Sequence, residues 1–150
     1  MPTTPRIRSA LAAALLSLLL GCGMAPSASD SGDLVMALNN YTRMIRWQRW
    51  SDAATFVPQA QQGAWLEQKL QGAQGLNIAD VGLAGVNQDS SQSEEATVFV
   101  RIAWYRLPDP TLRESVWKQA WKLERGEGWR LQSEALVEAP ASDVPPPSWP

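Results

Sequence analysis

Histidine is missing from this sequence altogether, and cysteine occurs once, at Cys22. Those two shortages remove the usual His/Cys zinc sites, the Ser-His-Asp triad and the Cys-His pair. A lone cysteine also rules out an internal disulfide. Basic residues are outnumbered as well, 13 Lys and Arg against 15 Asp and Glu, for a formal charge of −2. That balance offers no basic stripe able to neutralise phosphates, so a nucleic-acid partner is not expected. Carboxylates, Tyr, Lys, Arg, Ser and Thr remain for chemistry, and neither a metal nor a cofactor is expected. Tryptophan, by contrast, is plentiful. There are eight in 150 residues, and they must find a core or an interface.

No apolar run is long enough to span a bilayer. The most extended one, Ala10 to Leu20, contains only Ser17 as a polar interruption and follows Arg6 and Arg8, which is the layout of a secretory signal. As a helix it would cover about 16 Å of a hydrocarbon core about 30 Å thick. It ends in Leu19-Leu20-Gly21-Cys22, which resembles the lipobox of bacterial lipoproteins. The resemblance implies diacylglycerol on the Cys22 thiol, cleavage after Gly21 and often a further acyl chain on the new amino group. One chain anchors only marginally, whereas two or three hold firmly. Gly23 stands where enterobacterial lipoproteins kept at the inner membrane tend to carry Asp, so the resemblance favours the outer membrane, facing the periplasm. Cleavage would leave 129 residues with 11 basic and 15 acidic side chains, a formal charge of −4. That is enough chain for one domain with a core of its own.

The expected organisation is a signal peptide over 1–21, a lipidated tether over 22–32, a folded domain over 33–138 and a Pro-rich tail over 139–150. The tether (Gly23 to Asp33) is small and polar, and the tail is rich in proline, so neither offers apolar periodicity. Leu34, Leu38, Tyr41 and Ile45 then follow helical spacing, which predicts a helix over about 33–48, capped by Ser31 or Asp33. Ser51 or Asp52 is expected to cap a short second helix ending near Val57, before Pro58. A third over Gln59 to Gln71 turns Trp65, Leu66 and Leu70 to one side. Trp47 and Trp50 are expected to cover an end of the core while the neighbouring arginines stay wet.

From Gly75 the period becomes two. Strands are expected at Leu76 to Asn87, with a bend or bulge near Gly82 and Gly85, and then at Ala96 to Leu107, Leu112 to Arg125 and Trp129 to Glu138. This predicts an α+β fold, N-terminal helices packed on a curved antiparallel sheet. Alternation puts Val98, Val100, Ile102 and Trp104 on one face, with Trp117, Gln119, Trp121 and Leu123. On the last strand it sets Trp129 and Leu131 against Arg130 and Gln132. The second face is mixed, carrying Phe99 and Tyr105 among charges. It either stays solvated, Glu114 and Glu124 pairing with Lys118 or Lys122, or meets a second sheet in a homodimer.

The order helix, Trp50-x-x-Ala53-Ala54-x-x-x-Pro58, short helix, then strands with Trp117-x-x-x-Trp121 and Gly126-x-Gly128-Trp129-Arg130-Leu131 resembles the cone-shaped nuclear-transport-factor-2-like, or ketosteroid-isomerase-like, fold. It is similar in particular to small bacterial lipoproteins carrying that domain. The resemblance covers about residues 33–137 and implies a cone with a pocket, in a fold that hosts enzymes and non-catalytic modules alike. The candidate pocket residues are Tyr41, Asp80, Trp104, Trp117 and Trp121. Asp80, placed on the face of Ile78, and Tyr41 are the acid and phenol of a cofactor-independent isomerase or lyase, if there is one. The expected function is a non-catalytic, membrane-anchored binding or assembly module of the envelope. Its partners would be the membrane through Cys22 and a protein or a second copy through the sheet. The alternative is small-molecule binding or isomerase or lyase chemistry inside the cone.

Overall fold

A computed structural model describes residues 30–138. Cys22, the expected signal peptide over 1–21, most of the expected tether and the expected tail over 139–150 lie outside the described residues. Helix α1 runs Asp30–Arg46, and Leu34, Leu38, Tyr41 and Ile45 are all buried along one side of it, the stripe that their spacing demands. Ser31 and Asp33 stand inside this helix instead of capping it. A turn through Gln48, the one described non-glycine residue at positive φ (53°), leads to α2, Trp50–Ala53. The expected side-chain cap is missing there: the helix starts ahead of Ser51 and Asp52, and the Asp52 carboxylate pairs with the Arg49 guanidinium at 2.5 Å. Trp50 is buried, but Trp47 is 67% exposed with Arg46 over its ring. Only one of the two tryptophans therefore closes the core.

A 3-10 turn, Ala54–Phe56, ends before Pro58, and a second, Gln59–Gln61, leads into α3, Gln62–Gly72. The inward side of α3 is Trp65, Lys69 and Gly72. Leu70, expected inside, is 53% exposed. Gly75 takes φ +69°, a conformation that costs glycine nothing, and turns the chain into the sheet.

The sheet is a four-stranded antiparallel meander in the order β1-β2-β3-β4. Its strands are β1 Leu76–Asn87, β2 Glu95–Arg106, β3 Asp109–Glu124 and β4 Gly128–Glu138. The expected α+β class is thus found, with three helices packed against one face of the sheet. From Ala96 to Trp104 on β2 and from Arg113 to Trp121 on β3 the faces alternate: Val98, Val100, Ile102 and Trp104 are buried opposite Gln119, Trp117, Ser115 and Arg113, and the register shifts only beyond Trp104. Six tryptophans, 50, 65, 104, 117, 121 and 129, are buried. The Trp104 indole donates to Ser115 Oγ at 2.9 Å, so its polar atom is satisfied inside the core.

The edge strands depart from simple alternation. β1 carries an extra residue at Ala79 and another at Ala84, and β4 one at Gln132 and one at Val137. Each adds one residue opposite none and reverses which side the following residues face. Two side chains of the helical layer reach across to β1: Arg46 Nη1 donates to the Ile78 carbonyl at 2.6 Å, and Gln48 Nε2 to the Leu76 carbonyl at 3.1 Å.

On the other face, Phe99 lies opposite Lys118 and Arg101 opposite Val116. The expected ion pairs differ in detail. Lys122 is 3.9 Å from Glu95, and Glu124 accepts a hydrogen bond from Gln132 Nε2 at 3.1 Å.

Candidate functional site

The bulge at Gln132 decides what the interior contains. Leu131 faces inward opposite Trp121, Ser133 faces outward opposite Ala120, and Glu134 faces inward opposite Gln119. Unbroken alternation from Leu131 would have put Glu134 outside. The carboxylate is buried instead, with its side chain 3% exposed, and Lys69 of α3, 1% exposed, meets it at 2.6 Å. The inward turn of Lys69 in place of Leu70 and the parity change of Glu134 are therefore one event. Each charge is tolerable inside because the other is there.

Three donors meet the carboxylate. Lys69 Nζ donates to Oε2, while the Tyr41 hydroxyl and Gln119 Nε2 (3.0 Å) both donate to Oε1. Gln119 Oε1 in turn accepts from the Trp121 indole at 3.0 Å. The Tyr41 ring packs edge-on against Trp121, with centroids 5.3 Å apart, and against Phe56 at 6.0 Å. Tyr41 comes from α1, Lys69 from α3, Gln119 and Trp121 from β3 and Glu134 from β4. One network thus ties both helices to both strands.

Burial, and after it the charge of Glu134 and the hydrogen bond to it, holds the Tyr41 phenol well above the ordinary tyrosine range. It stays a proton donor. Burial also lowers Lys69, against the pull of the same carboxylate. The gap beside it, bordered by Tyr41, Trp117, Gln119 and Glu134, measures about 10 Å³, roughly the room needed by one water.

The sequence-derived candidates divide clearly. Tyr41 and Trp117 border that gap, and Trp121 joins the network through Gln119. Trp104 is core, sealed against Ser115. Asp80 does not belong. The extra residue at Ala79 moves it off the face of Ile78, opposite Ala103, where it is exposed, so it cannot act with Tyr41 on a shared substrate. Lys69, Gln119 and Glu134 are the residues that sequence reasoning did not assign to a site. A partial signal existed for Glu134, since Trp129 and Leu131 have odd numbers while Leu136 has an even one, which requires a shift between them.

A larger space lies between α3 and β4 and shares Glu134 with the network. It has a volume of about 380 Å³ and is bordered by Val57, Ala60, Ala64, Trp65, Gln68 and Leu131 besides Glu134. Among the described residues no group of His, Cys, Asp or Glu gathers to hold a metal, and no helix is long and apolar enough to cross a membrane. Comparison with protein-family models finds no match, and comparison with curated proteins finds none either.

Proposed function

We propose that the chain is a lipid-anchored protein of the bacterial envelope, displaying a nuclear-transport-factor-2-like cone as a non-catalytic binding module. The anchor rests on Arg6, Arg8, the apolar run to Leu20 and the Leu19 to Cys22 sequence. The cone rests on helices covering one face of a bulged antiparallel meander. The observation that carries the non-catalytic reading is the filled interior. Trp104, Trp117 and Trp121 are buried, about 10 Å³ is left among Tyr41, Trp117, Gln119 and Glu134, and Glu134 itself is held in an ion pair with Lys69. That gap is too small for a substrate, and although the cleft beside α3 also borders Glu134, a general base must be free to take a proton within hydrogen-bond reach of its substrate. Glu134 has already spent its oxygens on Lys69, Tyr41 and Gln119. The isomerase or lyase alternative needs Asp80 inside the cone, and Asp80 is outside.

The test is labelling with radioactive palmitate in a bacterial host, followed by fractionation and pull-down from solubilised membranes, beside a Cys22→Ser control. Label on the wild type alone, recovery with the outer membrane and stable companions lost from the control support the proposal. An unlabelled wild type that washes free without detergent overturns the anchor.

A further inference from the structure

The cleft between α3 and β4 is a feature that the buried network leaves unexplained. We propose that it binds a small, uncharged molecule with an apolar body about the size of two fused rings and at least one carbonyl or ether oxygen. The proposal extends the binding-module reading by naming a site and a ligand class. It depends on the folded domain and not on the lipid, so its test and the palmitate test fail independently.

Size comes first. About 380 Å³ falls within the range of small-molecule pockets, while the interior gap does not. The space exists because Ala60 and Ala64, four residues apart on the approach to α3 and in its first turn, present only methyl groups to it. Val57 and Leu131, both buried, supply apolar floor.

Charge narrows the class. Among the described residues Glu134 is the one ionisable group bordering the cleft, and its carboxylate is already matched by Lys69 and two further donors. An ionised ligand would lose its hydration there and gain no opposite charge. The remaining polar borders, Gln61, Gln68, Gln132 and Ser133, are neutral.

Trp65 supplies the need for an oxygen. It borders the cleft, is only 7% exposed, and its indole Nε1 has no hydrogen-bond acceptor among the described residues. An unmet buried donor is rare in native interiors and calls for an explanation. Lys69 Nζ sits over the Trp65 ring, 5.0 Å from its centroid, so one face of the indole is taken and its N–H edge is the part still without a partner. The nitrogen is shielded from bulk water.

The experiment uses the full chain with Cys22→Ser, labelled with nitrogen-15, and follows the indole N–H resonances during titration with coumarin, a neutral fused-ring lactone. Naphthalene, which lacks the oxygen, and coumarin-3-carboxylate, which is anionic, are the comparison probes. Trp65→Phe identifies the Trp65 resonance. Ala64→Leu, a change at an exposed position that fills the cleft, decides the matter even where Trp65→Phe does not fold. The expected result is a saturable downfield shift of the Trp65 resonance with coumarin, binding about tenfold weaker for each comparison probe, and loss of the shift in a folded Ala64→Leu chain. No Trp65 shift up to the solubility limit of coumarin, equal binding of the carboxylate, or an Ala64→Leu chain that still responds would overturn the proposal.

Discussion

Along β2 every second residue from Ala96 to Trp104 is buried against the helices, whereas along β4 the inward set changes parity between Leu131 and Glu134. The two strands differ in their neighbours. β2 is paired on both sides through almost its whole length, so an extra residue would break two ladders at once. β4 and β1 are edges, and an extra residue disturbs only one. The interior follows that division. Against β2 it is tryptophan and aliphatic packing, and against β4 it holds a buried ion pair with its donors. The central strands are specified by volume and the edge by hydrogen bonding, so the two sides respond differently to substitution.

The largest effect is expected on the central side. Trp104→Ala removes a fully buried indole and strands Ser115, and stability to urea should fall by about 5 kcal/mol, the upper part of the range for such truncations. On the edge side, Lys69→Met leaves Glu134 charged and unmatched. The expected loss is about 3 to 4 kcal/mol, and combining it with Glu134→Leu should recover most of that, because an apolar pair of similar volume needs no partner. A double variant no more stable than the single one would mean that packing, not charge, sets the cost.

Tyr41→Phe removes one donor to a carboxylate and should cost about 2 kcal/mol at pH 7. Its pH dependence has a definite sign. The folded phenol titrates above the unfolded one, so its contribution is fully present below about pH 10, the ordinary tyrosine value, and is lost as pH rises beyond it and the unfolded chain ionises first. Lys69 works in the other sense. With its value lowered by burial, the unfolded chain binds that proton more tightly, and stability from this group rises with pH toward the ordinary lysine value. Comparing wild type with Tyr41→Phe at a series of pH values cancels the lysine contribution, and the gap between them should close above pH 10.

The smallest effect belongs to the bulge. Deleting Gln132 leaves Leu131 opposite Trp121 and Ser133 opposite Ala120, so Glu134 still faces inward. The cost should be about 1 kcal/mol, with the Lys69 and Glu134 contact retained. A deletion as damaging as Lys69→Met would show that the bulge itself, not the parity it sets, positions the carboxylate.

How far the residues alone could be read follows the same division. The α1 stripe, the strands and the faces of β2 and β3 were legible because each side chain there obeys one period and one burial rule. The edge strands were not. The bend expected near Gly82 and Gly85 is matched by the extra residue at Ala84, but the one at Ala79 carries no glycine to mark it, and it removed Asp80 from the interior. Lys69 was unreadable for a different reason. A lysine turns inward past a neighbouring leucine only if a carboxylate waits for it, and that carboxylate is 65 residues away along the chain. The network became visible only when both ends were placed.

The two side chains that α1 and its following turn extend to β1 bear on how copies of this protein behave when crowded together. A sheet margin with bare carbonyls invites a strand from a neighbouring molecule to add itself and begin an aggregate. Arg46 and Gln48 already occupy the Ile78 and Leu76 carbonyls, and the arginine would have to give up its bond before an intruding amide could form one there. The opening third of that margin is thereby closed to recruitment by a helix that the protein needs for its core in any case.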